Sequence, residues 1–299
     1  MLTIEALGSL LKSHSDAAAA VVAPFSIAGR TFHFGRSPAL MGVVNLSADS
    51  WYRESVWLSL DAALRRARVL AAQGADLIDV GAESTLPHAA RADEGTQSSR
   101  VVPFVQILRS EGILVSVETY DTRVARNVLR AGAALINLTG SADSADIYRE
   151  IAAHDAGVII CCVQGANVRD VVDFDLEADP ILACRDYFAR ELDKANAAGL
   201  TKIFLDPGLG FYYRNLQDSA ARVRHQMTVF LNSFRLRTLG YPICHALPHA
   251  FEYFGEEVRS AEGFFAVLAA LGKTDLFRTH EVPRVRAVLD TMGAYPQPP

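Results

Sequence analysis

Polar residues recur at the ends of short apolar runs along this chain. Asn45, Ser47 and Asp49 follow the first run, and Asp79, Glu83, Ser84 and Thr85 end the second. Glu118 and Thr119 end the third, Asn137 the fourth and Gln164 the fifth. The sixth ends in Asp206-Pro-Gly-Leu-Gly210, the seventh carries His245 and His249, and the eighth carries Arg278 and His280. Taken singly, an Asn or Asp at such a position is a cap or turn former. Taken together, capping does not explain them. Carboxylates accept from ring N–H groups and an Asn amide both donates and accepts, so the set suits the edge of a flat heterocycle. Arg278 and His280 supply donors for an anion such as a phosphate. Asn45 suits the same anion or an accompanying Mg2+, which needs only one or two protein oxygens. His245 and His249 lack a third ligand at a zinc spacing, and a plain core histidine is the expectation for His245.

These residues need a scaffold that brings strand ends together. From Ala39 onward one unit repeats: apolar strand, polar loop, amphipathic helix. Strands are expected at 39–46, 76–82, 113–119, 134–139, 157–163, 202–206, 242–247 and 275–280. Helices fall between them, among them 58–73, 122–131, 180–198 and 216–239. Gly74, Gly132, Gly199 and Gly240 close helices and suit left-handed caps. Such repeats predict a (β/α)8 TIM barrel over residues 39–299, whose chemistry sits at the C-terminal strand ends. The alternative is a doubly wound open sheet, weakened because no Gly-x-Gly-x-x-Gly follows the first strand. Residues 1–38 read as an extension packing on the barrel: a helix over 3–13, then a hairpin around Ala28-Gly29 that would plug one end.

Composition narrows the class. The chain has 299 residues, 50% of them hydrophobic, enough for a large core, and a net charge of -5. That charge gives no reason to expect nucleic acid or an anionic membrane as partner. The small-apolar run Ala17 to Phe25 is too short to span a bilayer and lacks a basic start. Cys161, Cys162, Cys184 and Cys244 show no metal-ligand spacing, so free thiols in a reducing, cytoplasmic setting are expected.

The motifs also carry a family resemblance. Met41-Gly-Val-Val-Asn-Leu-Ser-Ala-Asp-Ser50 and Ile78-Asp-Val-Gly-Ala-Glu-Ser-Thr85 resemble the first two signatures of dihydropteroate synthases. Ser116-Val-Glu-Thr119, Ile136-Asn137, Leu205-Asp-Pro-Gly-Leu-Gly-Phe211 and Arg278-Thr-His-Glu281 are similar to later blocks, in order. The resemblance covers Ala39 to Val288. It implies a pterin-binding TIM barrel, a homodimer, and condensation of a dihydropterin methyl diphosphate with p-aminobenzoate. It also implies roles: Asn45 for the Mg2+–diphosphate, Thr85 beside the amine, Glu118, Asn137 and Asp206 on the pterin, and Arg278 with His280 on the diphosphate.

Departures concentrate on the acceptor side. Where the family has Arg after Glu-Ser-Thr, this chain has Leu86; where it has Lys in a Ser-Arg-Lys-Ser run, this chain reads His245 to Phe251. No Lys or Arg occurs between Arg237 and Arg259. Glu118 stands where the family has Asp. Trp51, Leu86, His249 and Phe251 give that side an apolar and aromatic character, or else are plain loop packing. Losing charge-assisted contacts to an acceptor carboxylate costs roughly 2–5 kcal/mol. The leading expectation is therefore a diverged transferase that uses a reduced pterin or folate with another acceptor, or moves a one-carbon unit. The alternatives are a working dihydropteroate synthase with a compensated site and a non-catalytic pterin-binding homologue.

Overall fold

The computed structural model describes residues 1–35, 37–47, 56–57, 59–83, 91–170, 173, 176, 178–211, 219–248, 250–255 and 258–296, without the side chains at 219, 251, 252 and 258. Eight parallel strands make up the barrel: β3 (Ala39–Asn45), β4 (Leu77–Gly81), β5 (Val115–Thr119), β6 (Leu135–Leu138), β7 (Gly157–Cys161), β8 (Ile203–Asp206), β9 (Cys244–Ala246) and β10 (Leu276–Thr279). They hydrogen-bond in the order β8-β7-β6-β5-β4-β3-β10-β9. The ring closes through the bridge of Leu205 to Ile243, with the Leu205 amide donating to the Pro242 carbonyl at 2.9 Å. The expected barrel is therefore the observed fold.

Strand alternation sorts the side chains into two cores. Ala39, Met41, Leu77, Leu135, Ile159, Cys161, Phe204, Cys244 and Leu276 pack in one buried cluster inside the ring. Leu40, Val44, Ile78, Val80, Val117, Ile136, Ile160 and Phe277 belong to the other, shared with the helices. On this alternation Asp79, Glu118, Asn137, Asp206 and Arg278 all fall on the inner face, near the C-terminal strand ends.

The helices are set by local signals. In α5 (Thr122–Ala131), Asp121 accepts from the amides of Arg123 and Val124, while Gly132 at φ 101° ends the helix. Its Val124, Ala125, Val128 and Leu129 are buried on one face. Asp179 caps α7 (Pro180–Ala197), with Pro180 where its missing N–H costs nothing. Gly74, Gly199 and Gly240 also have positive φ, as the capping pattern implies. One helix differs from expectation. Residues 216–239 do not form a single α-helix: α8 (Ser219–Asn232) gives way to a 3-10 segment over Ser233–Leu239. The Ser233 hydroxyl donates to the Phe230 carbonyl at 2.8 Å and reaches the Gly272 carbonyl at 3.1 Å, drawing the chain onto the loop before β10.

At the N-terminal end, α1 (Ile4–Ser13) and α2 (Ser15–Ala18) precede the hairpin β1 (Phe25–Ile27) and β2 (Arg30–Phe32). Ala28 and Gly29, at φ 47° and 83°, form its turn. Phe25, Phe32 and Phe34 set their rings edge-on to Phe204, at 5.2, 6.1 and 5.8 Å, and Ile27 joins the inner cluster. Buried Asp275 ties this end together. It pairs with Arg237 and accepts from the amides of Gly35 and Ile243, each at 3.0 Å.

Candidate functional site

The inner-face polar residues meet at the C-terminal mouth. Arg278, on β10, donates through Nε to Asp79 Oδ2 at 2.7 Å and through Nη2 to Glu118 Oε2 at 2.8 Å. Asn137 donates through Nδ2 to the same Asp79 oxygen at 3.2 Å. The Cys161 thiol donates to Asn137 Oδ1 at 3.2 Å, which fixes the amide's orientation. Asp79 is fully buried, and its Oδ1 has no protein hydrogen-bond partner among the described residues. Parallel register explains the grouping: Glu118 lies beside Asn137, and Arg278 beside Met41 and Ala246.

Burial sets the charge states here. It pushes the Glu118 carboxyl up to about 7, with Arg278 pulling the other way and Asp79 and Asp206 adding to the rise. Burial likewise raises Asp206 to about 6, against the Gly208 amide, which donates to its Oδ1 at 2.8 Å. Burial opposes the Arg278 charge, but Asp79 and Glu118 outweigh it and hold the guanidinium more firmly protonated. The Cys161 and Cys244 thiols, buried beside Asp206, are pushed up and stay neutral. Gly208 is required where it stands: its φ is 81°, and a Cβ there would lie 2.4 Å from the Cys162 carbonyl.

The remaining expected residues divide. His280 lies next to the mouth, its Nδ1 3.0 Å from Glu262 Oε1. Asn45 ends β3, level with Gly81. Among the described residues no group of three His, Cys, Asp or Glu is placed to hold a metal ion. An Asn amide oxygen is a hard neutral donor, which fits Mg2+ as a lone protein ligand but not a closed protein cage. Thr85, Leu86, Trp51 and His249 lie outside the described residues; Phe251 opens α9 (Phe251–Phe254), its side chain also outside them. His245 points away from the mouth. It packs on Phe230 with ring centroids 4.7 Å apart, and burial lowers its pKa to about 3, so it is a neutral core residue.

Several groups have roles that the sequence does not assign. Asp79 reads from sequence as a strand-end residue, but not as the partner of Arg278. Glu83 accepts from Tyr120 Oη at 2.6 Å and the Ala92 amide at 3.1 Å, and Arg169 lies 3.3 Å from it. These contacts join the loops after β4, β5 and β7, and Glu83, Glu118, Thr119, Tyr120 and Thr139 line a cleft there.

The chain that forms this mouth is similar to known proteins. Residues 41–246 match the model of the pterin binding enzyme family. The chain belongs to the pterin-binding enzyme family. It is 31% identical over 224 residues to a dihydropteroate synthase of Clostridium beijerinckii, across 73% of this chain and 76% of that one. It is 28% identical over 285 residues to a dihydropteroate synthase of Synechocystis, across 91% and 94% of the two. The crystal structure of Burkholderia cenocepacia dihydropteroate synthase complexed with 7,8-dihydropteroate superposes with a TM-score of 0.76 at 26% identity, covering 92% of this chain and 96% of that one. The pterin-binding barrel is thus a dihydropteroate synthase-like transferase. No helix among its described residues is long and apolar enough to cross a membrane.

Proposed function

We propose that this pterin-binding barrel carries out the dihydropteroate synthase reaction: it binds a dihydropterin methyl diphosphate at the mouth and transfers the pterin methylene to p-aminobenzoate, releasing diphosphate. The observation that carries the proposal is the row of acceptors and donors formed by buried Asp79, Asn137 and Asp206 with half-buried Glu118 and Arg278. A pterin edge offers ring N–H, amino and carbonyl groups side by side, and this row complements it. Asp206, ionised near neutral pH, would accept from the amino and ring N–H groups. Asn137, already oriented by Cys161 and Asp79, has donor and acceptor capacity left for the ring. Glu118, near half-protonated at neutral pH, would donate or accept.

The charge that grows as the diphosphate leaves is stabilised by Arg278 and His280, and binding that strengthens with that charge is what lowers the barrier. Asn45 would hold Mg2+ with the diphosphate; when bound, the ion supplies further positive charge there. Thr85 would stand beside the arylamine. The enzyme would act as a homodimer, as the resemblance implies.

The ordinary reaction thus stands ahead of a diverged one. Relatives that match 91% and 73% of this chain are named dihydropteroate synthases, which supports the ordinary acceptor. One specific observation favours a second reading: Leu86, and the absence of any Lys or Arg between Arg237 and Arg259, leave an acceptor carboxylate short of cations. A less anionic acceptor, or one-carbon transfer from a reduced folate, would follow.

Turnover of 6-hydroxymethyl-7,8-dihydropterin diphosphate with Mg2+ and either p-aminobenzoate or aniline separates the two. The expected result is dihydropteroate formation, with kcat/KM for p-aminobenzoate at least about tenfold above that for aniline, the value of one retained charge contact. Equal or better use of aniline would favour the second reading. Diphosphate release with neither amine would sink the ordinary reaction and transfer to a less anionic arylamine, leaving only one-carbon transfer from a reduced folate.

A further inference from the structure

A buried carboxylate behind the mouth takes no part in the reaction proposed above. Glu262 lies on α10 (Val258–Leu271), on the face that also buries Ala261, Phe265, Ala266 and Ala269, and it is fully buried itself. Nothing apolar explains a carboxylate there, since burying one without partners is costly. The end of β10 supplies its partners. The amide of His280 lies 3.2 Å from both of its oxygens, the amide of Glu281 donates to Oε2 at 3.3 Å, and the Thr279 hydroxyl bonds the same oxygen. The His280 ring joins them through Nδ1, 3.0 Å from Oε1.

We propose that Glu262 is a positioning residue for His280: it holds a proton on Nδ1 and thereby makes Nε2 the one ring nitrogen that gains or gives a proton toward a bound diphosphate. Backbone N–H groups can only donate, so Glu262 already acts as an acceptor on both oxygens. A ring nitrogen facing that acceptor carries a proton, and the tautomer of a histidine is set in this way by its fixed partner. The neutral ring is then the Nδ1–H form, the minor tautomer of a free histidine side chain. Protonation occurs at Nε2, on the far edge of the ring, and gives a charge-assisted donor for a phosphate oxygen. The same carboxylate pins the backbone of Thr279, His280 and Glu281, so ring and main chain are held as one unit. The diphosphate part of this inference rests on the function proposed above; the tautomer part does not.

The test is long-range 1H–15N NMR of the imidazoles, with His280→Gln to assign the signal and inorganic pyrophosphate as the probe. The expected spectrum has His280 protonated on Nδ1 throughout, with only the Nε2 shift responding to pyrophosphate. In Glu262→Gln the proton is expected to move to Nε2, and pyrophosphate affinity to fall about tenfold, one hydrogen bond to a charged group. A wild-type ring carrying its proton on Nε2 with bare Nδ1 would overturn the proposal, whether or not the variant folds. Glu262→Gln binding pyrophosphate as tightly as wild type, with an unchanged tautomer, would overturn it too. Wild type that fails to bind pyrophosphate while keeping Nδ1–H would remove the diphosphate site and leave the tautomer assignment standing.

Discussion

Arg278→Ala is expected to destabilise the barrel by about 3–5 kcal/mol at pH 8 and to abolish pterin-dependent turnover. Arg278 is the cation that both Asp79 and Glu118 bond, and Asp79 is wholly shielded from water. Removing it leaves two carboxylates facing each other with their desolvation uncompensated. Such a site answers by taking up a proton, and Glu118 is the group able to do so. The penalty should therefore shrink between pH 8 and pH 5.5, where Glu118 is protonated in either protein. Urea unfolding at both pH values measures this. Arg278→Lys should recover only part of the loss, because an ammonium cannot reproduce a planar fork with one arm on each carboxylate. If Arg278→Ala cost the same at both pH values, the coupling to Glu118 would be absent.

The second large effect is on pH dependence. The folded state holds Glu118 at about 7 and Asp206 at about 6, both above their unfolded values, burial being the chief cause of each. In the window from about pH 4 to pH 7 the native protein therefore binds more protons than the unfolded chain. Stability should be greatest at the acid end of this window and fall as pH rises through the two folded values. The sum is on the order of a few kcal/mol, since each tenfold change in a carboxyl's proton affinity corresponds to about 1.4 kcal/mol. Other groups contribute to the full profile, so the comparison is with Glu118→Gln. That variant should lose the part of the slope that Glu118 contributes between pH 4.5 and about 7 and keep the part that Asp206 contributes between pH 3.8 and about 6. A slope unchanged by Glu118→Gln would mean that this carboxyl is not perturbed in the folded state.

The alternation of apolar and polar residues makes most of this architecture legible. Glu118, Asn137, Asp206 and Arg278 can be assigned to one mouth because each sits at the polar end of an apolar strand, and parallel strands of one barrel must end together. Their pairing is not legible. That Arg278 bonds Asp79 and Glu118 depends on its side chain reaching across the mouth from β10 to β4 and β5, past β3, which strand order alone does not specify. The Glu118 carboxylate reaches Arg278 directly, at 2.8 Å. Local signals mislead at residues 216–239, where helical periodicity continues but Ser233 diverts the chain onto the Gly272 carbonyl. Glu262 does leave a signal in the sequence. A carboxylate at helical spacing from Phe265, Ala266 and Ala269 sits on an apolar face and must have buried partners. The partners lie at the end of β10, and only the fold brings them near.

A pterin site built from these inner-face groups is read directly by calorimetric titration with 6-hydroxymethyl-7,8-dihydropterin diphosphate and Mg2+. Micromolar binding by the wild-type protein is expected, weakened at least about tenfold in Asp206→Asn, whose amide can no longer accept two N–H donors as a carboxylate does. No binding by folded wild-type protein, or equal binding by Asp206→Asn, would contradict it.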